Sequence, residues 1–217
     1  MAICVGVPYR KYEEIRACAE QFLAAYHPEH TLPIPIEFIV DEELGIQIWP
    51  RDGLFERYGI DGCYTAQCDM IMVDKGFMQT QPFRYNFTIA HEMGHIQMHQ
   101  DLFREYVFST PDKWIDFQMN LSEKSARLME FQAHSFAGVV LVPSDHLYAE
   151  LRSLVQNPDL REKASKALRG GLEQDRVEHS VREVVAKQLS RRFEASPEVI
   201  SRRIGYENME ILPMLFP

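Results

Sequence analysis

His91, Glu92 and His95 stand in the order HEMGH within the stretch FTIAHEMGHIQMHQ, and their types and spacing suit one kind of chemistry. On a helix, residues four apart share a face, with Cβ atoms roughly 5–6 Å apart, so the two imidazoles can meet at one metal ion. Zinc takes neutral imidazole and carboxylate ligands and, in a catalytic site, keeps one position for water. Glu92, beside the first histidine, is placed to take that water's proton. The pattern is HExxH: two zinc ligands with a general base between them. The simpler reading, a half-buried helix that happens to carry two histidines, gives no reason for the glutamate between them.

Such a motif needs a rigid helix beneath it. Phe87, Ile89, Ala90, Met93, Ile96 and Met98 make the stretch apolar enough for a core helix. Upstream, YEEIRACAEQFLAAY spaces Ile15, Ala19, Phe22, Leu23 and Tyr26 as an amphipathic first helix. A proline-rich loop, TLPIPI, leads to a short helix at residues 37–43. Three short strands are then expected at residues 46–49, 63–66 and 70–73, forming a small meander, with turn-rich sequence at 51–62 and a loop at 75–82. Residues 102–121 read as irregular, and a second core helix is expected at residues 122–142, ended by Pro143.

Two histidines leave zinc short of a protein ligand, and three residues compete for the place. Asp101 would extend the motif as HExxHxxGxxH does, but Met98 stands where that pattern has the glycine that lets the chain turn back. His99 lies one turn beyond His95, and three ligands along one straight helix spread over two turns, too far to close on one ion. Glu130 would bring a carboxylate from the second helix, or else belongs to a solvated helix face.

The chain's 217 residues suffice for a real core, and 46% hydrophobic with 25% charged residues excludes disordered and fibrous classes. A net charge of −9 argues against indiscriminate binding to nucleic acid. No apolar run approaches the ~20 residues needed to span a bilayer, and no signal peptide is evident, so a cytoplasmic protein is expected. Cys4, Cys18, Cys63 and Cys68 show no CxxC pairing and are expected as reduced thiols. The charged, glycine-containing stretch at 157–179 reads as a hinge or exposed connection, dividing a domain at 1–156 from a helical region at 157–217. Residues 180–204 outline a helix-turn-helix, carrying Arg191, Arg192, Arg202 and Arg203, with Glu183, Glu194 and Glu198 diluting their charge.

HEMGH preceded by RYNFTIA, then ExxAxxFAxxxLVP at Glu130, Ala133, Phe136, Ala137 and Leu141 to Pro143, resembles the ImmA/IrrE family of zinc peptidases. VPYRKYEEI near the start and RRFEASPEVISRRI near the end extend the resemblance over most of the chain. It implies an α+β fold, a small three-stranded sheet packed on helices in a zincin-like core, and Zn²⁺ held by His91, His95 and Glu130 with Glu92 as catalytic base. It also implies a regulatory protease that cleaves a helix-turn-helix repressor in mobile-element control or a stress response. The competing reading is a metal-containing sensor or DNA-binding regulator, with a vestigial peptidase site and DNA contacts through residues 180–204. Where the family commonly has Asn, four residues after its glutamate, this chain has His134, which can orient a ligand, bond substrate or compete for metal. Tyr64, Tyr85, His134 and His146 are the candidate oxyanion stabilisers.

Overall fold

A computed structural model describes residues 6–29, 31–65, 67–103 and 110–216; Cys4 lies outside them. Packing divides the chain into two compact units, Met1–Leu141 and Val142–Pro217. The boundary expected from sequence, after residue 156, falls inside the second unit.

The first unit begins with α1 (Tyr12–Tyr26), whose Ile15, Ala19, Phe22 and Leu23 are buried at helical spacing. Helix α2 (Ile36–Phe38) continues into a π-helical turn at Ile39–Glu43. Then come β1 (Gln47–Arg51), α3 (Leu54–Tyr58), β2 (Gly62–Tyr64), β3 (Met70–Asp74), α4 (Lys75–Thr80), α5 (Pro82–Phe103), α6 (Pro111–Asn120) and α7 (Glu123–Leu141). The fold is α+β, as expected, but the sheet is mixed rather than a meander. Strand β3 lies in the middle, parallel to β1 and antiparallel to β2. The sequence 51–62, expected to be turns alone, contains α3, bracketed by Gly53 and Gly59 with φ of 67° and 71°. That left-handed backbone is the conformation glycine adopts without steric cost. With a helix inserted after β1, the chain re-enters the sheet on the far side of β3.

Two further expectations of irregular structure are corrected. Residues 75–80 form α4, because Asp74 caps it by accepting from Gly76 N at 2.8 Å. The same carboxylate accepts from Phe55 N at 2.8 Å, tying α3 to the end of the sheet. Within 102–121, α5 runs to Phe103 and α6 occupies Pro111–Asn120, burying Trp114 and Phe117; residues 104–109 lie outside the description.

Helices α5 and α7 form the centre of this unit. Ile89, Ala90 and Met93 from α5 and Met129, Ala133, Phe136 and Ala137 from α7 are all buried. Phe22 of α1 meets Phe136 edge-on at 5.6 Å between ring centroids.

The second unit is helical: α8 (Ser144–Leu154), α9 (Pro158–Arg169), α10 (Gln174–Phe193), α11 (Pro197–Tyr206) and α12 (Ile211–Leu215). The expected hinge at 157–179 is largely helix. Asn157 caps α9 by accepting from Asp159 N at 2.9 Å, Pro158 starts it, and Leu160 and Ala164 are buried; Gly170 and Gly171 only mark its end. Helix α10 buries Val177, Val181, Val185 and Leu189 along one stripe, and the turn into α11 passes through Glu194 at φ 49°. Ser196 caps α11 at Val199 N. The helix-turn-helix outline is therefore present as a pair of packed helices. Arg203, expected on its basic face, is instead 1% exposed. It donates to the Val142 carbonyl at 3.1 Å, to Ser144 Oγ at 3.0 Å and to Glu207 Oε1 at 2.6 Å. No described helix is long and apolar enough to cross a membrane.

Candidate metal centre

Helix α5 runs unbroken through HEMGH, so His91 and His95 lie one turn apart, with their Nε2 atoms 3.1 Å from each other. Glu130 of α7 faces both, Oε2 lying 3.3 Å from His91 Nε2 and Oε1 3.6 Å from His95 Nε2. Donor atoms about 2.05 Å from one tetrahedral zinc stand roughly 3.3 Å apart, a spacing that the nearest donor pairs of these three residues match. The donor chemistry, two imidazoles and a carboxylate, fits zinc as well.

What makes the triangle close is the way α5 and α7 cross. Gly94 sits at the contact, where a Cβ would lie 3.0 Å from the Ala133 carbonyl oxygen and 3.1 Å from its Cα. A side chain here would make the facing backbone give way by a few tenths of an ångström, so glycine suits this close approach. On the other flank, a Cβ at Gly62 of β2 would lie 2.6 Å from Thr88 Cγ2 and 2.9 Å from the Met72 carbonyl. Both glycines thus set how closely α7 and β2 press on the helix that carries the motif.

A cleft of about 340 Å³ opens over these groups, walled by the loop Gly59–Gly62, by Phe87 and Thr88 of α5, and by Trp114 and Gln118 of α6. The loop is clamped. Asp61 accepts two bonds from Arg84, both at 2.7 Å, and the Arg84 guanidinium lies over Phe77 at 3.9 Å and Phe55 at 4.7 Å. Trp114 packs on Tyr64 at 4.7 Å, and Tyr64 on His95 at 5.7 Å. Sequence reasoning missed these supports, since no local motif marks them.

The electrostatics follow from burial and from the one carboxylate that faces two rings. Burial opposes charge on His91, but its bond to Glu130 and the Glu92, Glu130 and Asp61 carboxylates outweigh it and raise the pKa. Burial lowers His95. For Glu130 burial pushes upward, yet the bonds to His91 and His95 prevail and hold it well below the usual carboxylate range. Glu92 is 4% exposed, and burial raises it to about 8. Its Oε2 is buried without a hydrogen-bond partner among the described residues. A buried carboxylate oxygen beside the facing groups of His91, His95 and Glu130 can accept a hydrogen bond from a donor entering the cleft.

The other candidates separate clearly. Asp101 is exposed on α5, which continues past it, and six residues from His95 amount to about 120° around the helix. His99 does not join the triangle; its Nδ1 lies 3.2 Å from Nδ1 of His95, on the side away from Glu130. His134 comes near, since His91, Glu130 and His134 can offer ligand atoms that all lie within 4.8 Å of one another. His95 Nε2 lies 3.1 Å from His91 Nε2 and 3.6 Å from Glu130 Oε1, while His91 faces the other carboxylate oxygen at 3.3 Å. His134 Nδ1, 3.0 Å from the Glu130 carbonyl, must donate to it. Burial, then the charge on His91, lower its pKa to about 4. A neutral His134 therefore shows the cleft a lone pair at Nε2, which suits an acceptor and not an oxyanion stabiliser. Tyr85 is also spoken for, donating to Glu37 Oε1 at 2.9 Å. Cys18, Cys63 and Cys68 form no disulfide among the described residues.

Compared with known proteins, the chain matches the family model of peptidase M78, described as the IrrE N-terminal-like domain, over residues 78–205. The match takes in α5, α7 and the helices through most of α11. No curated protein matches the chain.

Proposed function

Since the chain belongs to the peptidase M78 family of IrrE N-terminal-like domains, a family of metallopeptidases, we propose that it is a zinc-dependent endopeptidase whose substrate is a helix-turn-helix repressor. His91, His95 and Glu130 hold the zinc and Glu92 is the general base. The observation that carries the reading is the approach of the His91 and His95 Nε2 atoms, 3.1 Å apart, to the two oxygens of the one Glu130 carboxylate, at 3.3 Å and 3.6 Å, beside a Glu92 Oε2 without a partner among the described residues.

Bound there, zinc supplies Lewis-acid polarisation of a water and of the scissile carbonyl. Glu92 takes the water's proton and returns it to the leaving amine. Its burial makes that return easy, because a carboxyl raised to about 8 holds a proton near neutrality, while a nearby cation favours the carboxylate that begins the cycle. Phe87, Trp114 and the clamped loop Gly59–Gly62 form walls that restrict which chain segments enter. A narrow substrate range suits a protease acting in the cytoplasm, where broad activity would damage its own cell.

The reading as a DNA-binding regulator has less support. Of the five arginines in the helix-turn-helix outline, Arg203 is buried, Arg182 lies 3.7 Å from Glu178, Arg192 pairs with Glu150 at 3.0 Å and Arg202 with Glu198 at 2.6 Å. Few free cations remain to grip phosphates. Co-expression with a candidate helix-turn-helix repressor, followed by mass spectrometry of that repressor, tests the proposal. Cleavage by the wild type and none by Glu92→Gln supports it; intact repressor with both under inducing conditions favours the regulator.

A further inference from the structure

A line of buried polar groups runs behind the candidate metal centre. His95 Nδ1 lies 3.2 Å from His99 Nδ1, His99 Nε2 lies 2.9 Å from Gln132 Oε1, and Gln132 Nε2 lies 2.8 Å from the Pro8 carbonyl. His95 is 1% exposed, and His99 and Gln132 are 0% exposed. The direction of every bond follows from its far end. A carbonyl only accepts, so the Gln132 amide nitrogen donates to Pro8 and its oxygen is turned to His99. That oxygen in turn only accepts, so His99 carries its proton on Nε2. A ring buried this deeply is neutral, which leaves a lone pair on His99 Nδ1. The proton between the two histidines must then belong to His95 Nδ1.

We propose that His99 and Gln132 are positioning residues for the metal site: the chain from the Pro8 carbonyl locks His95 as its Nδ1–H tautomer, leaving the Nε2 lone pair aimed at the point where His91 and Glu130 converge. The opposite tautomer would put a proton where the ion has to bind and would exclude it. The function of the relay rests on the zinc reading above, whereas the tautomer it imposes exists with or without metal. Metal-ligating histidines are commonly oriented by the partner of their other nitrogen, and losing such a partner typically costs about 10- to 100-fold in metal affinity. Here the partner is a second histidine, itself directed by an amide on α7 that is anchored to the N-terminal segment. The same crossing of α5 and α7 thus supplies Glu130 to one side of His95 and Gln132 to the ring behind it.

Long-range ¹H–¹⁵N correlation spectra of the metal-free full-length chain report the tautomer of each histidine directly. The expected result is His95 protonated at Nδ1 and His99 at Nε2. In Gln132→Met, of similar size, His99 loses its acceptor, both rings become tautomer mixtures, and zinc affinity, measured by chelator competition, falls about 10- to 100-fold. His95 protonated at Nε2 in the wild type would overturn the relay, and so would Gln132→Met with unchanged tautomers, whatever its zinc affinity. If that variant fails to fold, the wild-type spectrum still decides. A wild type with the expected tautomers that takes up no zinc would refute the metallopeptidase reading and leave the hydrogen-bond order standing.

Discussion

Gly94 of α5 and Ala133 of α7 touch backbone to backbone: a Cβ on Gly94 would lie 3.0 Å from the Ala133 carbonyl oxygen and 3.1 Å from its Cα. One residue away on α5 is His95, and three before Ala133 on α7 is Glu130, so this contact sets their 3.6 Å approach. Gly94→Ala must push the helices apart. A destabilisation of about 1–3 kcal/mol from overpacking is expected, with a larger relative loss of zinc affinity, because ligand spacing tolerates less than folding does. Urea unfolding and chelator competition on the same preparation measure both; equal affinity to wild type would show that the crossing does not govern the site.

Metal content discriminates among the carboxylates and the extra histidine. Wild-type protein should carry about one zinc per chain, and Glu130→Ala should lose it, while Asp101→Ala retains it. His134→Ala is expected to keep zinc near full occupancy, because its Nδ1 is committed to the Glu130 carbonyl. Zinc lost from His134→Ala but kept in His95→Ala would reverse the assignment.

Glu92→Gln should bind zinc as the wild type does and lose peptidase activity by at least about 100-fold, the lower end of what a positioned acid–base group contributes. Parallel metal analysis and cleavage assays separate the two effects. Residual activity within a few-fold of wild type would mean that another group moves the proton.

Arg203→Ala and Arg202→Ala, neighbours in sequence, should behave differently. Removing Arg203 leaves Glu207 buried and the Val142 carbonyl without this donor, at a cost of about 3–5 kcal/mol. Arg202, whose side chain is 59% exposed, should change stability by less than about 0.5 kcal/mol. Thermal unfolding of the two variants checks this, and any docking or DNA role must be tested with Arg202→Ala, since Arg203→Ala confounds recognition with unfolding.

Burial lowers His99 from 6.5 to about 3, so the unfolded chain binds a proton at this ring before the native one does. Its contribution to stability is therefore complete above pH 6.5 and is lost as pH falls from there toward 3. The metal-free wild type should lose stability between pH 7 and pH 5 more steeply than metal-free His99→Phe. Urea unfolding at both values gives the two slopes, and parallel slopes would show that His99 does not stay neutral in the fold.

Local periodicity and motif spacing made the helical placement of HEMGH legible in the sequence, together with the amphipathic first helix, the helix bearing Glu130 and the α+β class. Each rests on residues within one or two turns of each other, where backbone geometry alone decides what shares a face. Glycines and capping residues were harder to interpret: Gly53, Gly59, Asp74 and Asn157 start or stop short helices where the sequence suggested only turns, because turn and cap chemistry use the same residue types. Only the tertiary structure decided what crosses between elements. It placed β3 between β1 and β2, brought Glu130 and not Asp101 to the histidines, and turned His99 to the back of His95 with Gln132 behind it. It also buried Arg203, which its charge alone would have assigned to a surface. These outcomes depend on how closely two backbones can approach, as at Gly94 and Ala133, and on which buried polar groups find partners, and neither is a property of any single stretch of chain.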